Sequence, residues 1–393
     1  MSQLKSIDLF AGIGGIRLGF DIAFGESIKT VFVSEWDEKA QKTYLSNFKN
    51  TLDIAGDITK IEESSVPQFD ICLVGFPCQA FSLAGQKKGF NDDFKGMSRG
   101  TLFFDVARIC SYHKPKVVFC ENVKGLTMID ENDIRSVDTK DIPDIDILTA
   151  GFPCQPFSVM GKQKGFGDAR GNLFFEISRV IDKKRPQIVF LENVKNLIEH
   201  DNGKTFLVIY NTLAQFGYAV KYKVLNACEY GNIPQDRSRI FIVAFLDYNM
   251  LDRFKFPEPL SLTKSINDII NRSERHHDIY YYKEDNPYFD KLNKNIKDNV
   301  SIYRIDDWGV AKNRYTICPT LKANMGTFPD RVPIIKDDFG IRKLTPKECL
   351  SLQGFPNDYN YPKISLNSAY KQAGNTVCVP VVSEIAKNIK AAL

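Results

Sequence analysis

The apolar positions of this chain fall in short runs, each closed by glycine or followed by a segment of helical spacing. Ser6 to Phe10 is such a run and ends in Ala-Gly-Ile-Gly-Gly. That pattern predicts a buried strand, a glycine-rich turn and a helix. Thr30 to Ser34 predicts a second strand, and the DEKAQKTYLSNF segment behind it has helical spacing. Ile54 to Ile58 predicts a weak third strand. Further strands are expected at 69–75, 117–120, 145–151, 188–191, 219–226 and 239–246, with helices at 101–112, 172–184 and 204–216. Strands alternating with helices imply an α/β fold with βαβ units and a mostly parallel sheet. From about 248 to 340, Tyr, Asn, Asp, Lys and Pro dominate with little periodicity, which predicts a smaller, irregular second domain. The final VVSEIAKNIKAAL returns to helical spacing and is expected to pack back on the first domain. The expected division is therefore 1–247, 248–340 and 341–393.

Part of the pattern recurs because the sequence does. Residues 70–89 (DICLVGFPCQAFSLAGQKKG) and 146–165 (DILTAGFPCQPFSVMGKQKG) are identical at twelve of twenty positions. TLFFDVARICSYHKPKVVFCENVK (101–124) likewise matches NLFFEISRVIDKKRPQIVFLENVK (172–195). The first copy carries five extra residues around DDFKGMS. Asp57-Ile58 aligns with Asp133-Ile134, so the repeated blocks run 57–131 and 133–201. Two copies are too few for a solenoid, and a partial duplication is the simpler reading.

Composition narrows the function classes. The 393 residues are 43% hydrophobic and 25% charged, ordinary globular usage. The longest apolar runs, such as Ile240 to Leu246, are too short to span a bilayer, and the N-terminus has no secretory pattern. Nine cysteines are an odd count without disulfide-framework spacing, so a reduced, cytoplasmic protein is expected. Four histidines and no C-x-x-C pair argue against a zinc site or a histidine-based triad. A net charge of +4 permits a nucleic-acid partner without requiring one.

Three short patterns carry candidate chemistry. The glycine turn holds Phe10, Gly12, Gly14 and Gly15; a turn between strand and helix lets a ligand approach backbone N–H groups. A dinucleotide fingerprint would need a third glycine where Arg17 stands, so another adenosine ligand fits better, or the turn is merely tight. Glu35 ends the second expected strand, where an acid can accept hydrogen bonds from ribose hydroxyls. Gly-Phe-Pro-Cys-Gln occurs at 75–79 and 151–155, each at the end of a buried strand. Cys78 and Cys154 are thus either nucleophiles or small buried hydrophobes. Glu-Asn-Val at 121–123 and 192–194 puts Glu121 and Glu192 at strand ends, as general acids or solvated loop residues.

Seven segments together resemble the ordered motifs of the DNA (cytosine-5) methyltransferases. They are DLFAGIGG, Glu35-Trp36, GFPCQPFS, ENVK, QDRSR (235–239), RKLTPKECLSLQGFP (342–356) and AYKQAGNTV (369–377). The resemblance spans nearly the whole chain. It implies a doubly wound, mostly parallel, Rossmann-like sheet that binds S-adenosylmethionine, with 248–340 as target-recognition domain. It further implies double-stranded DNA as substrate, no metal, a monomer, and a restriction-modification role beside a partner nuclease. Carbon 5 of cytosine is a poor nucleophile; thiolate addition at carbon 6 makes it enamine-like, and an acid near ring nitrogen 3 stabilises the developing charge. By the resemblance the thiolate is Cys154 or Cys78 and the acid Glu192 or Glu121. Arg237 and Arg239 would contact the flipped-out base and nearby backbone. Phe10, Glu35, Trp36, Asp57 and Ile58 would line the adenosine site, with Asn375 and Val377 closing it. Lys312, Arg314, Lys322 and Arg331 are candidates for phosphates or guanine edges.

One sheet has room for one nucleophile-bearing strand beside the glycine turn. Removing one 76-residue block leaves about 317 residues, the size of a compact bacterial family member. The second copy lacks the extra loop residues, carries PCQPFS, and runs on into the expected helix, so the sequence favours Cys154 and Glu192. The rival readings are a DNA-binding pseudoenzyme jammed by its duplication, and a tRNA cytosine methyltransferase.

Overall fold

The computed structural model describes residues 3–49, 53–76, 93–94, 97–98, 102–115, 117–122, 139–140, 147–151, 173–186, 188–306, 309–313, 317–322, 324–327 and 330–392. Strand β1 (Leu4–Leu9) is followed by α1 (Gly15–Phe24), β2 (Ile28–Ser34) and α2 (Glu38–Asn47). The Asp37 side chain caps α2, accepting from the backbone N–H groups of Lys39 and Ala40. The first repeat supplies β3 (Ile71–Phe76), α3 (Leu102–His113) and β4 (Val117–Asn122). The second supplies β5 (Ile147–Gly151), α4 (Leu173–Lys184) and β6 (Ile188–Val194). Helix α5 (Lys204–Gln215) then leads to β7 (Ala219–Asn226) and β8 (Ser238–Phe245).

These strands form two four-stranded sheets, ordered β2-β1-β3-β4 and β5-β6-β8-β7. All pairs in the first are parallel; in the second, β8 runs antiparallel to both neighbours. Strand β4 lies beside β5, although no hydrogen-bonded ladder joins the sheets among the described residues. Both faces of the first sheet are covered, which explains why its strands read as continuous apolar runs. Ile71 and Leu73 of β3 pack with α1 and with α8 (Val379–Ala392), the predicted C-terminal helix. Cys72 and Val74, alternating with them, pack on the other face with Val106 and Ile109 of α3. Leu225, Val243 and Phe245 of the second sheet share the core of α1 and α8, while Leu191 and Ile240 pack against α4 and α5. The C-terminal helix therefore joins the two sheets through one core.

Two expectations need correction. Residues 54–58 form no strand: Ala55 makes a single bridge to Ser34, and Ile58–Lys60 is one 3-10 turn. The cause is Asp57, whose carboxylate accepts from the Thr59 N–H and hydroxyl and bends the chain. The segment around 300–343 is more regular than its composition suggests. Strands β9 (Tyr303–Asp306), β10 (Gly309–Lys312), β11 (Ile334–Asp337) and β12 (Gly340–Lys343) form an antiparallel sheet ordered β10-β9-β11-β12. Helices α6 (Pro346–Ser351) and α7 (Leu366–Asn375) follow. Helix α6 starts with a capping box between Thr345 and Glu348, with Pro346 in its first turn.

Candidate active site

The C-terminal end of β1 turns sharply. Phe10, Gly12 and Gly14 all have positive φ, at 51°, 56° and 77°. Glycine adopts this at no steric cost, whereas Phe10 is strained, at a cost of about 1–3 kcal/mol. Strain held by the surrounding packing is typical of ligand-binding turns. The Ala11 N–H donates to the Ser34 carbonyl at 3.1 Å, and the Gly14 N–H to Ala11 at 2.8 Å. Glu35 lies at the end of β2 and clamps the turn. Its two carboxylate oxygens accept from the N–H groups of Gly12 and Asp37, both at 2.7 Å. Burial raises its pKa, and these backbone donors oppose that rise. A carboxylate has about four lone-pair positions, so Glu35 retains acceptor capacity for a ligand hydroxyl. Phe10 and Trp36 pack partly into the core around Ile7 and Leu9. Ile58 is wholly a core residue there, and Asp57 is occupied with Thr59.

The segment after α7 closes over this turn. A Cβ on Gly15 would collide with the Thr376 hydroxyl and lie 3.2 Å from Val377, so only glycine permits this approach. Asn375 stands beside this contact, and its side-chain oxygen is buried without a hydrogen-bond partner. A buried acceptor left unpaired costs about 1–3 kcal/mol, so a donor from a bound ligand would be stabilising there. The strained turn, the acceptor capacity of Glu35 and the orphaned Asn375 oxygen thus fit an adenosine-bearing ligand with hydroxyl and ammonium donors.

The two repeats occupy different places relative to this turn. Strand β3 of the first copy pairs directly with β1, with Leu9 opposite Val74. At its end, a Cβ on Gly75 would lie 3.0 Å from the Phe10 carbonyl, so this strand end touches the turn itself. Glu121 of β4 is in register with Gly75. In the second copy Gly151 is in register with Glu192, but β5 is separated from β1 by β3 and β4. With strands about 4.8 Å apart, that displacement is roughly 14 Å. Glu192 lies instead opposite Phe241 of β8. Cys78 and Cys154 both lie outside the described residues. Of the described cysteines, burial raises the thiol pKa of Cys228, Cys318, Cys349 and Cys378, the last to about 11, which makes them poor nucleophiles.

The basic pair lies at the start of β8, with Arg237 just before the strand and Arg239 on it. Arg237 is only 8% exposed and donates to the carbonyls of Leu321 and Thr376, at 3.2 and 3.5 Å. It ties the 320–327 loop to the segment that covers the glycine turn. Arg239 is half-buried and donates to the Ser238 carbonyl. Lys312 is paired with Asp298 at 2.9 Å, Lys322 is exposed, Arg331 is half-buried, and Arg314 lies outside the described residues. Two features escaped sequence reasoning. One is Asp8, buried under the turn; the signal was a carboxylate between Ile7 and Leu9 in an apolar strand. The other is Arg342, fully buried between Asp337 and Glu348. Among the described residues no helix is long and apolar enough to cross a membrane, and no cluster of metal-ligating side chains occurs.

Comparison with known proteins adds the family. A family model described as C-5 cytosine-specific DNA methylase matches residues 4–132 and again 127–391, one match for each copy of the repeat. The Type II methyltransferase M.Bsp6I of Bacillus sp. (strain RFL6) is 39% identical over 389 residues, covering 98% of both chains. M.HhaI of Haemophilus parahaemolyticus is 32% identical over 397 residues, covering 100% of this chain and 96% of its own. Among solved structures, S. pombe Dnmt2 methyltransferase aligns over 99% of both chains with TM-score 0.52 and 17% identity, which speaks to the fold.

Proposed function

Since this chain belongs to the C-5 cytosine-specific DNA methylase family, we infer from its geometry how its residues divide the work of that reaction. It is a DNA (cytosine-5) methyltransferase of the Type II restriction-modification class, with an α/β methyltransferase fold. We read its sheet as doubly wound, its methyl donor as S-adenosylmethionine, and its substrate as double-stranded DNA. Residues 248–340 are proposed as the target-recognition domain of a cytoplasmic monomer.

S-adenosylmethionine, when bound, supplies an electrophilic methyl group. The chain's own residues do the rest. Glu35 would accept from the ribose hydroxyls while still holding the Gly12 N–H. The Asn375 oxygen would take a donor from the ligand, and Phe10, Trp36, Gly14, Gly15 and Val377 would line its site. The cysteine thiolate adds to carbon 6 of a flipped-out cytosine, and the glutamic acid protonates or hydrogen-bonds ring nitrogen 3. Carbon 5, now enamine-like, takes the methyl group. Loss of its proton to a base then expels the thiolate.

For the nucleophile, strand order supports the first copy, against the preference drawn from loop length and continuity. The carrying observation is that β3 pairs with β1 and Gly75 abuts the Phe10 carbonyl. We therefore assign Cys78 and Glu121 to the cofactor half. Glu192 belongs to β6, which pairs with the strand of Arg239. Trapping on DNA substituted with 5-azacytosine, followed by peptide mapping, tests this. An adduct on the Cys78 peptide is expected. An adduct on Cys154 alone would overturn the copy assignment and leave the reaction standing.

A further inference from the structure

Asp8 is a buried carboxylate to which the reaction above gives no role. It is 1% exposed, the penultimate residue of β1, two positions before the strained Phe10. The Tyr44 hydroxyl donates to it at 2.9 Å, and Arg17 donates to that hydroxyl at 3.0 Å. Arg17 also pairs with Asp21 at 3.2 Å and lies over the Phe48 ring at 4.3 Å. The Tyr44 and Phe48 rings fill the space where a Cβ on Gly14 would stand. The Tyr359 hydroxyl donates to the Ile13 carbonyl. The network is thus built into the underside of the glycine turn and touches it at both Gly14 and Ile13.

The charged and titratable groups facing Asp8 are Arg17 and Asp21 from α1, Tyr44 from α2, Glu35 from the end of β2, and Tyr359 from the segment after α6. Burial is the largest influence on Asp8 and raises its pKa to about 7; the Tyr44 hydrogen bond and Arg17 oppose the rise. An apolar residue there would avoid the desolvation cost, so the carboxylate's presence needs a reason. The ligand supplies one. S-adenosylmethionine carries a sulfonium, an ammonium and a carboxylate, net one positive charge; the demethylated product lacks the sulfonium and is neutral overall. Ligands of open α/β sheets bind just outside the strand ends, where Asp8 lies.

We propose that Asp8, held by Tyr44 and Arg17, is a positioning residue that fixes the glycine turn and, when ionised, favours the cationic methyl donor over the neutral product. The proposal rests on S-adenosylmethionine being the donor.

Calorimetric titration of the full chain with S-adenosylmethionine and with S-adenosylhomocysteine, from pH 6 to 8.5, tests it. The sulfonium makes the donor's amino group more acidic than the product's, so the ratio of dissociation constants is corrected with the amino titration measured on each free ligand. In the unsubstituted protein the ratio should move about fivefold or more toward the donor as pH rises through 7, an effect of the size nearby charges produce. Asp8→Asn should flatten the ratio. Tyr44→Phe keeps the ring packing, removes the opposing hydrogen bond, and should move the midpoint to higher pH. It also keeps the proposal testable if Asp8→Asn does not fold. A ratio independent of pH, or a midpoint unmoved in Tyr44→Phe, overturns the proposal while donor binding itself stands. Failure of the unsubstituted protein to bind either ligand overturns the cofactor reading as well.

Discussion

Replacing Arg342 with methionine should destabilise the protein severely, for reasons set out by its contacts. The guanidinium is fully buried. It donates through Nε to Asp337 at 2.7 Å, and through Nη1 and Nη2 to the two Glu348 oxygens at 2.9 and 2.8 Å. Methionine fills similar space but leaves two buried carboxylates without their cation. Removing one partner of a buried ion pair costs about 3–5 kcal/mol. The lower end applies here, because Asp337 keeps the Tyr281 hydroxyl at 2.9 Å and Glu348 keeps the Thr345 N–H at 2.7 Å. At roughly 2 °C per kcal/mol for a chain of this size, the thermal midpoint should fall by about 6 °C or more. Urea unfolding followed by circular dichroism gives the free energy. The companion variant Arg342→Met with Asp337→Asn and Glu348→Gln should recover most of the loss, since the network is then removed whole. A loss below about 1 kcal/mol in the single variant, the range of an exposed pair, would refute the reasoning.

Three further outcomes follow from the site. Glu35→Ala removes the acceptor that clamps Gly12 and Asp37; donor affinity by calorimetry should fall at least about tenfold, equivalent to 1.4 kcal/mol, with DNA affinity little changed. Arg237→Ala cuts the link between Leu321 and Thr376 and leaves two carbonyls without that donor, so both the unfolding midpoint and methylation rate should fall, with about 1–3 kcal/mol of stability lost. The raised Asp8 pKa has a fixed sign for stability. The folded state binds a proton that the unfolded chain releases between about pH 4 and 7, so this contribution is full below pH 4 and is lost as pH rises through 7. Asp8→Asn should therefore unfold at higher urea than the unsubstituted protein at pH 8, with a difference that shrinks as pH falls and is smallest near pH 4.

Most of the central sheet was legible because buried parallel strands leave compact apolar runs. Ile7, Leu9, Ile71 and Leu73 all sit where such runs put them. The C-terminal helix was legible from its spacing, and it packs on α1 as expected. Residues 54–58 misled because Ile54 and Ile58 look like strand positions while the Asp57 side chain captures its own backbone. The four strands between 303 and 343 have four residues each, too short for alternation to register. In the site, the glycine turn and Glu35 came from pattern and spacing. The position of each repeat did not, because copies with nearly the same sequence fit the same slot, and only strand order distinguishes them. Arg237 was expected to contact the flipped-out base and nearby backbone; its burial depends on Leu321 and Thr376, which are 84 and 139 residues away and leave no local signal.

The central claim is that this chain methylates carbon 5 of cytosine in DNA through a cysteine adduct. Nucleoside mass spectrometry of DNA from cells expressing the full chain, beside cells expressing Cys78→Ser, tests it most directly. The account predicts 5-methylcytosine with the unsubstituted chain and none with the variant. Absence of 5-methylcytosine from both, in a chain that still binds S-adenosylmethionine, would contradict it.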